Sequence, residues 1–214
     1  MKITEINLAQ WRRHDTYKLF REAQNPFFSL TSEIDVTPFM SDYKKHGLPP
    51  FNFTLFSIMR AVNAIEELKT RFDGDKVFQS NKTSPSFTVP IENDGFAFCD
   101  VEYDDDWSVF NARCLSQVRA AKQQTTLKEN AHSNFCTYLS CMPWINFTGA
   151  MHPTMDADDC IPRIVWGKYV DHGGRWSMAL NIQAHHALLD GVHVAQFFLK
   201  TEQFMAELPE AATA

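Results

Sequence analysis

Residues 181–198 read NIQAHHALLDGVHVAQFF, and along them the repeat of the apolar positions changes. Leading into this stretch and through it, Met178, Leu180, Ile182, Ala184 and His186 fall on one side of an extended chain. Ala179, Asn181, Gln183 and His185 fall on the other side, which is the two-residue repeat of a strand. Beyond the junction Val194, Phe197, Thr201, Phe204 and Leu208 recur every three or four positions, the repeat of a helix. At the junction stand His185-His186 and Asp190-Gly191, the glycine being expected to let the chain turn tightly into the helix.

His186 continues the apolar side of that strand. A neutral imidazole held there can take a proton from a hydroxyl or a thiol, provided that something fixes its ring and tautomer. Asp190, four residues on, is near in sequence without having to be its partner. A metal site made of His185, His186, His193 and Asp190 is disfavoured, because adjacent strand residues point to opposite faces and do not readily share an ion. No metal is expected. A core histidine satisfied by its surroundings is the plain alternative, and periodicity alone leaves it open.

Working outward, PRIVWGKYV and RWSMALNIQAHH flank the turn signal Asp171-His172-Gly173-Gly174, a hairpin or tight connection. NFCTYLSCMPWINF, residues 134–147, reads as a strand that Pro143 ends or bends. PSFTVPIENDGFAFCDVEY gives two strands around Asn93-Asp94-Gly95. SLTSEIDVT, residues 29–37, alternates as a half-buried strand. Helical spacing runs from Phe53 to Leu68, and a second helix follows Asp106, its expected N-cap. Strands outnumber helices, so the fold class is α/β or α+β, with a mixed, largely antiparallel sheet covered by helices.

The chain has 214 residues, 44% of them hydrophobic, and no Pro/Gly/Ser-rich linker divides it, so a single domain over 1–214 is expected, with a frayed tail from about residue 209. A net charge of −6 argues against nucleic acid as a partner, since such binders present a basic stripe. Five cysteines without CxxC spacing suggest neither a disulfide framework nor a structural zinc site. With no signal-peptide core and no long apolar run, a cytoplasmic chain without a membrane partner is expected.

The stretch QAHHALLDGVHVAQFF resembles the signature of the trimeric, His-dependent chloramphenicol acetyltransferases, usually written HHAVCDG followed by FHV. AQWRRHDTYKLF resembles their N-terminal Trp-x-Arg segment, and FFSLTSEIDVT the strand after it. PSFTVP, YLSCMPWINF and IPRIVWGKY follow in the family's order, so the resemblance runs from about Trp11 to Leu208. It implies a two-layer sandwich of the CoA-dependent acyltransferase fold, assembled as a homotrimer with active sites between subunits. It also implies acetyl-CoA as co-substrate, with no tightly bound cofactor, and chloramphenicol as acceptor.

In that resemblance His186 is the general base that takes the proton from the primary hydroxyl of chloramphenicol, which attacks the thioester directly. Ser140 matches the serine that stabilises the developing oxyanion. Asp190 and Arg13 match a structural ion pair behind the site. Phe20, Phe28 and Phe96 match or flank lining aromatics, although with 18 phenylalanines in the chain core packing is the default for any one of them. Lys168 and Tyr169 match a segment near the coenzyme A nucleotide.

The sequence departs from the pattern at Val165, where a threonine usually holds a water beside the intermediate, which implies a lower turnover. It departs again at Leu188-Leu189, which replaces a Val-Cys pair, and in TGAMHPTMDADDC, which is too divergent for transfer by position. The rival reading is a CoA-dependent acyltransferase of the same superfamily acting on another hydroxyl or thiol, such as a dihydrolipoyl acyltransferase core.

Overall fold

The computed structural model describes residues 1–92, 94–125 and 134–209. In chain order the strands are β1 (Ile3–Glu5), β2 (Phe27–Asp35), β3 (Thr70–Asp73), β4 (Lys76–Ser80), β5 (Ser84–Pro90), β6 (Phe96–Asp100), β7 (Cys136–Met142), β8 (Arg163–Asp171) and β9 (Trp176–His185). The helices are α1 (His14–Arg21), α2 (Thr37–Asp42), α3 (Pro50–Asn63), α4 (Trp107–Lys122) and α5 (Gly191–Ala206).

Among the described residues, six strands form the main sheet in the order β2-β9-β8-β7-β5-β6, and β1-β4-β3 form a smaller antiparallel sheet. In the main sheet β7 runs parallel to both β5 and β8, while the β2–β9, β8–β9 and β5–β6 pairs are antiparallel. Helices α3, α4 and α5 pack on one another and against the sheet, so the fold is a mixed sheet with a helical layer. Among the described residues, no helix is long and apolar enough to cross a membrane.

The register sorts the sheet into two faces. Phe87, Leu139, Ile164, Leu180, Ile182 and Ala184 belong to the apolar core. The opposite face carries Ser86, Tyr138, Ser140, Arg163, Val165, Asn181, Gln183 and His185. That polar face is covered by the segment around residues 148–160: Asn181 donates to the Ala150 carbonyl at 3.3 Å, and Gln183 donates to the His152 carbonyl at 3.0 Å. β9 is thus buried on both sides, which is why its polar residues are only 1–3% exposed.

Several expected boundaries move. The apolar spacing from Phe53 to Leu68 overruns the helix, which ends at Asn63. The side chain of Asn63 donates to the Thr83 carbonyl and accepts from the Thr83 N–H, tying the chain to the start of β5. Ile65 and Leu68 remain buried past that end, which is how the helical repeat carried on. The strand expected at 29–37 is β2, two residues earlier at each end. In the β5–β6 turn Asp94 has a φ of 56°, while Asn93 lies outside the described residues. Asp106 does cap α4, accepting from the Val109 N–H at 3.1 Å. The expected frayed tail falls mostly outside the described residues; the Pro209 carbonyl lies 3.0 Å from the His46 ring.

Candidate active site

β9 ends at His185, one residue earlier than the sequence repeat suggests, and His186 is the first residue of the turn into α5. Its N–H still donates to the Pro26 carbonyl at 2.8 Å, so the backbone stays tied to the sheet while the side chain leaves it. The turn does not draw on special freedom at Gly191: it is absent from the positive-φ glycines, and nothing would lie within 4 Å of a Cβ there. Asp190 makes the helix start instead. Its N–H donates to His193 Nδ1 at 2.9 Å, and its carbonyl accepts from the His193 N–H at 3.0 Å.

The His186 ring stacks on Phe20 at 3.8 Å with 7° between planes and meets Phe28 at 4.6 Å. These contacts restrict the ring to one plane. Nδ1 is buried without a hydrogen-bond partner and faces Asp190 Oδ1 at 3.4 Å. The side chain is nonetheless 32% exposed, so solvent reaches the ring away from Nδ1. His186 is therefore not a core histidine, the alternative that periodicity left open, because the chain has already left the sheet.

Arg13 is buried and pairs with Asp190 Oδ2, and its second terminal nitrogen donates to the His186 carbonyl at 3.4 Å. One guanidinium thus holds both the carboxylate and the backbone of the histidine. The Arg13 hydrogen bond keeps the Asp190 carboxyl below its ordinary pKa, so it stays ionised at neutral pH. Behind it His193 Nε2 lies 3.4 Å from Glu67 Oε1, which also pairs with the largely exposed Arg12. Burial lowers the His193 pKa, consistent with a neutral ring that accepts at Nδ1.

His185 has the opposite surroundings. It is 1% exposed, its Nδ1 accepts from the Ala187 N–H at 3.1 Å, and its Nε2 meets the Ala157 carbonyl at 3.0 Å. The pattern fixes the Nε2–H tautomer, and burial pushes the pKa down to about 4. The sequence offered His185 only as a member of the disfavoured metal set, and not as an anchor; its partner Ala157 lies in the divergent segment.

Ser140 lies elsewhere, in a cleft of about 770 Å³ on the polar face of the sheet. Ser86, Tyr138, His152, Asp159 and Arg163 share that cleft, with apolar lining from Phe72, Phe98, Met155 and Ile161. Ser140 is in register with Val165, and Val165 with Asn181. His186 is five residues past Asn181 along the strand and two strands across, which separates it from Ser140 by roughly 19 Å at ordinary strand spacings. Within one chain the serine and the histidine do not meet.

The other candidate residues divide the same way. Phe20 and Phe28 gather at His186. Phe96 is on the far edge strand, 44% exposed and edge-on to Phe98 at 5.6 Å. Val165 is fully buried beside Ser140. Lys168 is exposed near the end of β8, its N–H donating to the Ile145 carbonyl. The Tyr169 hydroxyl lies 2.6 Å from Thr54 Oγ1, and burial raises its pKa, so this phenol is engaged inside the protein. His152 and Ser86, which sequence reading passed over, stand in the Ser140 cleft; the strand repeat puts Ser86 on a polar face, but nothing in the sequence marks His152.

The family model for chloramphenicol acetyltransferase matches residues 1–203. Chloramphenicol acetyltransferase 2 of Escherichia coli is 30% identical over 216 residues, covering 97% of this chain and 98% of its own. A solved chloramphenicol acetyltransferase superposes with a TM-score of 0.86 at 24% identity, covering 95% of this chain and all of that one. The dihydrolipoamide acetyltransferase of Azotobacter vinelandii shares the fold, with a TM-score of 0.67 at 15% identity over 90% of this chain and 86% of that one.

Proposed function

Since the chain belongs to the chloramphenicol acetyltransferase family, whose activity is acetyl-CoA-dependent acetylation of chloramphenicol, we propose that His186 is its general base and Ser140 its oxyanion donor. The observation that carries this reading is the His186 ring: packed against Phe20 and Phe28, with Nδ1 toward an ionised carboxylate and the side chain one-third exposed. An imidazole acting as a base through Nε2 carries its proton on Nδ1, and the Asp190 carboxylate favours that tautomer.

The steps follow from that arrangement. The ring takes the proton of the primary hydroxyl of chloramphenicol as the oxygen attacks the thioester carbon of acetyl-CoA. Negative charge collects on the carbonyl oxygen, where the Ser140 hydroxyl donates. When the C–S bond breaks, the imidazolium returns the proton to the sulfur, so acetylated chloramphenicol and CoA leave with no acyl-enzyme. Lys168, exposed on β8, is our candidate for a CoA phosphate contact, and Tyr169 can contribute only its ring, since its hydroxyl is engaged with Thr54.

The separation of His186 from Ser140 supports a site shared between copies, the histidine of one facing the serine cleft of the next, as in the homotrimer that the family resemblance implies. Large exposed apolar side chains fit such a contact: Trp144 is 80% exposed, Met151 78% and Met155 91%, the last lining the cleft itself. On this reading the described residues belong to one domain in the reducing cytoplasm, which suits five free thiols.

Release of thiol from acetyl-CoA, with and without chloramphenicol, tests the assignment. Chloramphenicol-dependent release by the wild type is the expected result. Release at background level from folded protein contradicts the acceptor and returns the histidine to trials with other alcohols and thiols.

A further inference from the structure

The Ser140 cleft holds two polar atoms that the fold itself leaves unused. His152 Nε2 and Ser86 Oγ are buried and have no hydrogen-bond partner. Both residues line the cleft, and Ser86 is only 2% exposed. An unpaired buried polar group is costly, so its persistence in a largely apolar cleft calls for a partner that arrives with the ligand.

His152 is built in from behind. Its backbone N–H donates to Gln183 Oε1 at 2.7 Å and its carbonyl accepts from Gln183 Nε2 at 3.0 Å, so a buried residue of β9 clamps both sides of the peptide. The imidazole is free of this clamp. Desolvation first, and the nearby Arg163 second, lower its pKa, which leaves a neutral ring with one donor and one acceptor nitrogen. Arg163 is engaged by both oxygens of Asp159, and Asp156 and Asp158 also border the cleft, so the lining offers no uncompensated positive charge to an anion.

Resting on the reading that this cleft holds the acceptor, we infer that His152 is a specificity-determining residue, its Nε2 hydrogen-bonding a polar group of the acceptor other than the hydroxyl that is acetylated. The Ser86 hydroxyl provides a second such contact. The class of acceptor selected is an uncharged, mainly apolar alcohol with at least one further hydroxyl, amide or similar group. Chloramphenicol, an acylated amino-diol, is of this class.

The test is steady-state acetylation of chloramphenicol at saturating acetyl-CoA by the wild type, His152→Leu, His152→Gln and Ser86→Ala. His152→Leu raises the KM for chloramphenicol about tenfold, the effect of leaving one buried hydrogen-bonding group unpaired. Its kcat and its KM for acetyl-CoA stay within about threefold, and His152→Gln, which keeps a hydrogen-bonding group, recovers most of the loss. Ser86→Ala, smaller and on a strand, raises the same KM about threefold, and it stands in should His152→Leu fail to fold. An unchanged KM in the folded His152 and Ser86 variants overturns the inference while the acetyltransferase reading stands. A wild type that does not acetylate chloramphenicol fails before any variant is compared, and the inference falls with it.

Discussion

His185 and His186 share a peptide bond and occupy opposite environments. One ring is 1% exposed, with both nitrogens engaged and a pKa pushed down to about 4. The other lies flat against Phe20, one-third exposed, with Nδ1 facing a carboxylate that Arg13 holds ionised. The first ties the segment around Ala157 to the strand end; the second keeps part of its ring open, as the proposed base requires. A strand end can therefore set a buried and a half-open ring on consecutive residues, because the chain turns out of the sheet between them.

Removing each ring in turn gives the sharpest contrast. His186→Ala is expected to lower kcat by about 10⁴-fold while changing the unfolding free energy by less than about 1 kcal/mol. His185→Ala should do the reverse, costing about 3 kcal/mol in urea unfolding because it opens a cavity and strands the Ala187 N–H. Equal losses of kcat in two fully folded variants would erase the division between the rings. Ser140→Ala comes next, with a fall in kcat of about 10²–10³-fold and little change in stability.

Acid should act on the anchoring ring. Between the unfolded pKa near 6.5 and the folded value of about 4, native His185 binds fewer protons than the unfolded chain. Its contribution is complete above pH 6.5 and is lost as the pH falls toward 4, by up to about 3 kcal/mol. Denaturant midpoints measured across that window should drop in the wild type and drop less in a folded His185→Asn variant; parallel curves would count against the buried-imidazole origin. Asp190 adds to the same trend at lower pH, since its carboxyl is held below its ordinary pKa and loses its Arg13 partner on protonation. Asp190→Asn is expected to cost about 1–2 kcal/mol, less than His185→Ala because the carboxylate is partly exposed, with a loss of kcat smaller than that of Ser140→Ala and traceable to a misplaced His186 ring.

The strand-to-helix change at residues 181–198 made the main elements legible, since both repeats survive in β9 and α5. Asp106, Pro143 and the Asp171–Gly174 turn also act where local chemistry puts them. What the periodicity misjudged was burial at the junction. The two-residue repeat treats His186 as one more strand position, but the chain leaves the sheet there, and a central strand covered on both sides buries His185 instead. The small β1-β4-β3 sheet escaped notice because strands of three to five residues carry too few positions for a repeat to show. His152 was hidden for another reason: the side-chain amide of Gln183, 31 residues away, sets its place, and a contact at that range leaves no local pattern.

The central claim is that His186 of one copy acts on an acceptor held in the Ser140 cleft of the next. Co-expressing His186→Ala and Ser140→Ala chains, each nearly inactive alone, tests it directly. Random mixing in a trimer with sites between neighbours places an intact serine opposite an intact histidine at about one interface in four, so about a quarter of wild-type activity should return. No recovery in verified mixed trimers would mean that both residues must come from one chain, in contradiction to the roughly 19 Å that separates them there.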